Sequence, residues 1–537
     1  MNRRTVLKGG VALGASLVFA RPSVFASAAD SRIEVLLNEP IGTISPNVYG
    51  HFTEMLGAVI YDGVWVGENS KVPNTGGIRK TIIEKLKQIK APMIRWPGGC
   101  FADSYDWTDG IGAPGKRPER GGFWRGEPNT FGTPEFMRLC RLTGAEPYFA
   151  ANVRSLPALA FDHWIEYCNA PAEKSSLART RAEDGSREPY NVKYWGIGNE
   201  NWGCGGNFTP EQYSQEFRRF IAWTPSYGEP LKFIAAGPGG DDLDWTELFC
   251  RHTFGGKHAI KPKDVFGWSI HWYTWDLARG KTHDWDAAKG DALAFDLTDW
   301  YEVFREGDKV EDLILSNWST LAQYDRDHQI KLAVDEYGAW YKPGSAVDPS
   351  HGLGQQITLR DALLTAQSLD IFNRHADKVA IGACAQLINC LNALFLSYED
   401  KFIVTPTFHV FDMYRSHQGA RAVRAEFSAP RVRYQRDNKS ATFWGLKGSA
   451  SVQGKTLTLT VVNPHATEPR DAEIALRDGS ATSAEVTTLT NADIHAHNTF
   501  DHPDTVSTVS TKIMMSGPLL RYTFPSASVT KLSVALG

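Results

Sequence analysis

Eight short apolar runs recur between residues 47 and 395, most of them followed by a stretch whose apolar residues keep helical spacing. The runs lie near 48–52, 93–96, 146–151, 194–197, 232–236, 266–270, 331–334 and 379–387, and helix candidates cover 77–89, 133–143, 210–223 and 358–374. Strands separated by helices pair in parallel, and eight such units over about 350 residues predict an α/β TIM barrel, (β/α)8, with a few enlarged loops. After Thr405-Pro-Thr407 the helical spacing yields to alternation and β-branched residues, as in Thr456-Leu-Thr-Leu-Thr-Val-Val462. That change predicts a C-terminal all-β sandwich of jelly-roll type. An early strand at 33–37 precedes the first barrel run and is expected to join the sandwich. The expected division is therefore a signal at 1–28, a strand segment at 29–45, a catalytic barrel at 46–405 and a sandwich at 406–537.

The N-terminus reads as a targeting segment. Asn2-Arg-Arg-Thr-Val-Leu-Lys8 is close to a twin-arginine signal, an apolar run follows at 11–20, and Ala26-Ser-Ala28 offers a cleavage site. The run is too short and glycine-rich to span a membrane. This reading predicts a bacterial protein exported to the periplasm or the medium, with no membrane association once mature. With 57 basic and 61 acidic residues the charges nearly balance, which argues against nucleic acid as a partner. Seven cysteines at 100, 140, 168, 204, 250, 384 and 390 show no CxxC pair and no zinc spacing, so they do not form a disulfide framework. Most are expected as buried thiols. Cys100 and Cys204 lie inside the polar motifs described next, and a single disulfide is left open.

In a TIM barrel the functional groups stand just past the C-terminal strand ends. Here those positions read His51-Phe-Thr-Glu54, Arg95-Trp-Pro-Gly-Gly-Cys100, Asn152, Asn199-Glu200, His271-Trp-Tyr273, Asp335-Glu336 and Gln386 with Asn389. Two glutamates at strand ends are the minimal equipment for hydrolysing a glycosidic bond, one as proton donor and the other as nucleophile. Glu200 suits the donor: an acid catalyst must enter the reaction protonated, which a flanking Trp202 and a second carboxylate would favour. Glu336 suits the nucleophile, held ionised by Arg95 and by donors such as Tyr273 and His271. Alternation along the strand would turn Asp335 to the opposite side, into a structural role. The double glycine after Pro97 permits close backbone approach at the pocket floor. No HExxH and no phosphate-loop spacing is present.

Taken together, these strings strongly resemble the α-L-arabinofuranosidases of glycoside hydrolase family fifty-one. The matching stretches run from Ile44-Ser-Pro to Gly57 and from Arg95 to Asp109-Gly-Ile-Gly112. They continue through Phe131-Gly-Thr-Pro-Glu-Phe-Met137, the segment from Tyr194 to Cys204, His271 to Tyr273 and Asp335-Glu336. Gln386-Leu-Ile-Asn389 and Thr405 to Phe411 complete the set, with Asn498-Thr-Phe500 as a marker in the sandwich. The resemblance implies a retaining, exo-acting enzyme that removes terminal α-L-arabinofuranosyl groups from arabinoxylan or arabinan fragments, within hemicellulose and L-arabinose metabolism. It makes Glu200 the acid/base and Glu336 the nucleophile. Glu54, Cys100, Asn199, Tyr273 and Gln386 match positions that bind the furanose, Trp340 an aromatic of the pocket wall, and Arg95 and His271 supporting positions. It implies no metal or organic cofactor, and it brings in a homo-oligomer, hexameric in many relatives.

The chain departs from the family at 152–158, a loop expected to border the leaving-group side, and at Tyr337, where the family has Trp. Two other readings stay open: a clan-related retaining glycosidase such as a β-xylosidase or endo-β-glucanase, and a catalytically silent carbohydrate-binding protein.

Overall fold

A computed structural model describes residues 29–124 and 126–537; the expected signal at 1–28 lies outside them. The chain opens with β1 (Ser31–Thr43), followed by eight strands that close a barrel: β2 (Gly50–Phe52), β3 (Met93–Trp96), β4 (Glu146–Ala151), β5 (Tyr194–Ile197), β6 (Lys232–Ala235), β7 (Gly267–Thr274), β8 (Lys331–Ala339) and β9 (Val379–Ala385). All neighbours pair in parallel and in chain order, with β9 returning to β2. The strands are short and apolar because a parallel sheet wrapped by helices is buried on both faces. Met93, Tyr148, Tyr194, Ile234, Ala333 and Ile381 form a cluster of their own that fills the barrel interior. Facing outward, Trp96, Phe149 and Trp195 join Trp164 of the helical layer in edge-to-face and stacked contacts.

The expected helices appear as α1 (Lys80–Ile89), α2 (Thr133–Thr143), α3 (Pro210–Phe220) and α4 (Leu359–Arg374). Thr209 caps α3 with its hydroxyl and Gln212 reaches back to the cap, so the helix starts where a capping box demands. The run at 210–223 overshoots its end, since Trp223 takes a left-handed backbone. Among the described residues no helix is long and apolar enough to cross a membrane.

Beyond the helix Pro406–Tyr414 and a single helical turn at Arg415–His417, the regular elements are all β-strands. Nine strands form one continuous ladder in which β1 lies between Arg421–Ser428, antiparallel, and Arg470–Arg477, parallel. Strands far apart in that ladder share one core, in which Ile33, Ile474 and Leu520 meet Leu459, Val486 and Leu532, so the sheet folds over itself as a sandwich. The sandwich is thus built from both ends of the described chain.

Candidate active site

The C-terminal ends of the barrel strands converge on a cavity of about 300 Å³. Its floor is Glu54, just past β2. One Glu54 carboxylate oxygen accepts from the backbone N–H of Phe101 (3.0 Å) and from the indole N–H of Trp124 (2.9 Å), and the other from the amide of Gln386 (2.9 Å). Gln386 in turn accepts from the Glu54 backbone N–H at 3.0 Å, which joins the first and last barrel strands. A Cβ on Gly98 or Gly99 would stand 3.0 Å from this carboxylate, which explains the double glycine. Burial pushes the Glu54 carboxyl up to about 7 against these donors.

Glu336 sits on β8 where the strand carries one extra residue. Ala333 pairs with Ser269, but the next partners are Glu336 and His271; on the other side Val334 pairs with Gly382 and then Tyr337 with Cys384. This bulge breaks the side-chain alternation, so both Asp335 and Glu336 turn into the barrel. The expectation that Asp335 points away is corrected on this ground. Asp335 accepts from Tyr148 (2.7 Å) and Ser269 (2.6 Å) and lies 3.5 Å from both Arg95 and His271. Burial would raise its carboxyl, but Arg95 and His271 hold it down at about 2.

Arg95 bridges the two halves of the site. It donates to Glu336 at 2.7 Å and to the Asn199 side-chain oxygen at 2.6 Å, with its plane over the Phe52 ring. Burial opposes its charge, yet Asp335 and Glu336 hold the guanidinium protonated above its ordinary range. The Tyr273 hydroxyl donates to the second Glu336 oxygen at 2.8 Å; burial and that carboxylate keep the phenol protonated.

Glu200 follows β5 in a turn with a left-handed backbone (φ 43°), a conformation costly to a residue with a Cβ. The turn closes on the Glu200 carbonyl, which accepts from Gly203 (2.7 Å) and Gly205 (3.2 Å). Cys100, expected to touch the sugar, is bonded to Cys204 of this turn, and the Cys204 sulfur lies 3.6 Å from the Glu200 carboxylate. The other five cysteines are buried and unbonded. His271 Nδ1 lies 2.9 Å from Glu200 and 3.7 Å from Glu336. Burial works against its charge, but Glu336, Asp335 and Glu200 outweigh it and push the imidazole up to about 10. One carboxylate oxygen from each glutamate and a His271 nitrogen lie within 4.8 Å of one another.

The structure also brings in side chains that the strand-end motifs did not flag. Trp124, Trp275, Trp285 and Leu353 line the cavity alongside Trp202 and Trp340. Apart from Trp285, which opens the short helix Trp285–Ala288, they come from loops between elements, where the only signal in the sequence is an abundance of Trp. None of residues 153–158 lines the cavity. That loop instead turns onto Asp103, which accepts from the backbone N–H groups of Val153 and Arg154.

Comparison with known proteins follows the same lines. The profile of the α-L-arabinofuranosidase 1 domain matches residues 85–270 and that of the α-L-arabinofuranosidase C-terminal domain residues 335–528. An intracellular exo-α-L-arabinofuranosidase of Bacteroides ovatus is 34% identical over 525 residues, covering 97% of this chain and 98% of its own. The crystal structure of the GH51 arabinofuranosidase from Xanthomonas axonopodis pv. citri superposes with a TM-score of 0.86 at 34% identity, over 94% of this chain and 100% of that one. The arabinose complex of the Thermotoga maritima α-L-arabinofuranosidase gives 0.80 at 28% identity, with the same coverage. The name of the Bacteroides protein places it inside the cell, which overturns the expectation of twin-arginine export to the periplasm or medium. Paired arginines before a short apolar run are a weak cue beside a match of that length.

Proposed function

The chain belongs to the α-L-arabinofuranosidases of glycoside hydrolase family 51, a retaining family, and from that premise we propose how its own residues divide the reaction. Glu336 attacks the anomeric carbon of a terminal α-L-arabinofuranosyl group while Glu200 protonates the departing oxygen. Glu200 then takes a proton from the water that releases arabinose from Glu336. The convergence of the two carboxylates and His271 within 4.8 Å carries this reading, because a direct attack needs the nucleophile and the acid close together.

Arg95 and Tyr273 hold the Glu336 carboxylate by its two oxygens, which fixes the attacking atom. Arg95 also orients Asn199, whose amide is then presented to the hydroxyl beside the reacting carbon. Glu54 and Gln386 clasp the far hydroxyls of the furanose at the closed end of the pocket, and Trp340 forms its wall. A pocket closed at one end accepts a chain terminus, so the enzyme acts from the non-reducing end on arabinoxylan or arabinan fragments. The barrel, 46–405, is the catalytic domain, and 29–45 with 406–537 the supporting sandwich.

The test is hydrolysis of aryl α-L-arabinofuranoside, β-D-xyloside and β-D-glucoside side by side. Dominant release from the arabinofuranoside is expected. Faster turnover of either pyranoside would contradict the assignment of Glu54 and Gln386 to a furanose.

A further inference from the structure

The division of roles between Glu200 and Glu336 leaves the departing sugar without a binding surface, and one side chain fits that need. Six tryptophans line the cavity, and five are already engaged. Trp124 donates to Glu54, and Trp272 donates to the Glu306 carbonyl. Trp275 packs on Trp285, and Trp285 meets Trp340 edge to face. The sixth, Trp202, has no aromatic or cationic neighbour and no acceptor for its indole N–H among the described residues.

Its position is nonetheless fixed. A Cβ built on Gly239, in the loop after β6, would stand 2.9, 3.0 and 3.1 Å from three fused-ring carbons of Trp202. Near-equal distances to ring atoms place the glycine backbone against the flat face of the indole, not its edge. One face is therefore covered by backbone, and the side chain remains 36% exposed at the mouth of the pocket. Trp202 also shares the Glu200 turn, whose carbonyl is tied to Gly203 and Gly205, so the ring and the carboxylate project from one hydrogen-bonded turn. The leaving oxygen must face Glu200, and the leaving sugar extends from it away from the closed floor at Glu54.

We propose that the open face of Trp202 is the platform for the first sugar of the leaving group, a pentose ring stacked through its C–H face on the indole. This rests on Glu200 being the acid/base. The electron-rich ring face attracts the polarised C–H groups of a sugar, and the indole N–H is free to meet a hydroxyl. Trp202 is then a specificity-determining residue, since it binds what leaves and not what is transferred. The same platform receives an acceptor sugar when the arabinosyl-enzyme is intercepted by a saccharide in place of water.

The experiment compares kcat/KM on an arabinofuranosyl-xylose disaccharide and on α-L-arabinofuranosyl fluoride, whose leaving group has no ring. It uses the wild type, Trp202→Ala, Trp202→Phe and Gly239→Ala, the last of which pushes the indole off its seat without altering it. Trp202→Ala and Gly239→Ala are expected to lose about tenfold more on the disaccharide than on the fluoride, with Trp202→Phe recovering most of that loss. The alkaline limb of the pH profile, where Glu200 loses the proton it must donate, stays where it is in the wild type. Equal losses on both substrates, or a moved alkaline limb, would show that Trp202 only shapes the surroundings of Glu200 and would overturn the platform. A wild type that cleaves neither substrate would sink the underlying assignment as well.

Discussion

Asp103 lies outside the pocket lining, yet three backbone N–H groups from two loops point at its carboxylate. Val153 (2.7 Å) and Arg154 (3.0 Å) follow β4, and Asn199 (2.9 Å) follows β5 immediately before Glu200. Burial pushes its carboxyl up to about 7 in spite of these bonds. The left-handed backbone at Glu200 needs a neighbour that holds it, and Asp103 grips the preceding N–H while Cys100 holds the following turn through Cys204. Asp103 is thus a positioning residue for the proton donor. Replacing it with Ala should lower kcat on an alkyl arabinofuranoside by at least about tenfold, and much less on a dinitrophenyl arabinofuranoside that departs without acid help. The dependence of rate on leaving-group basicity is the measurement. Equal losses across leaving groups would reduce Asp103 to a general scaffold.

At the scale of elements, periodicity was enough to count the eight barrel strands, because a strand buried on both faces can be little else than a short apolar run. It ended two of them early. β7 continues through His271 to Thr274, and β8 through Glu336 to Ala339. Polar side chains at a strand end look like loop to a hydrophobicity count, although at these positions they are the site itself. The bulge in β8 was illegible for a related reason: it is a matter of pairing, and nothing in Asp335-Glu336 announces an extra residue. Glu54, Arg95 and Gln386 were legible as polar groups at equivalent strand ends. Trp124, Trp275 and Trp285 were not, because they reach the pocket from loops and from the start of a four-residue helix, whose paths depend on tertiary packing. The link between Cys100 and Cys204 spans 104 residues, and spacing alone could not select that pair.

At the scale of the whole molecule, α4 joins barrel to sandwich and is buried from Leu359 to Asn373. Asp370 on this helix accepts from Ser449 and Thr460 of the sandwich, each at 2.6 Å, and from Tyr414 at 2.9 Å. Burial pushes its carboxyl up to about 7, above the range near 4 expected of the unfolded chain. The folded state then holds a proton that the unfolded state has lost. The stability this contributes is complete below about pH 4 and disappears as the pH rises through about 7, at about 1.4 kcal/mol for each tenfold difference in proton affinity. Asp370→Asn can keep the hydroxyl contacts and cannot titrate. Denaturant unfolding of both proteins at about pH 5 and pH 8 should show the wild type losing stability relative to the variant at the higher pH; a difference independent of pH would contradict this account of the seam.

The most direct test of the catalytic assignment is to catch the sugar on the protein. Glu200→Ala protein is mixed with a dinitrophenyl α-L-arabinofuranoside, quenched in acid and digested, and the peptides are weighed. Formation of the intermediate needs little acid help with this leaving group, whereas its hydrolysis lacks the Glu200 base, so the adduct should accumulate. One pentosyl unit on the peptide carrying Glu336 is the predicted result. Release of dinitrophenol without any adduct, or an adduct on a different carboxylate, would contradict the account.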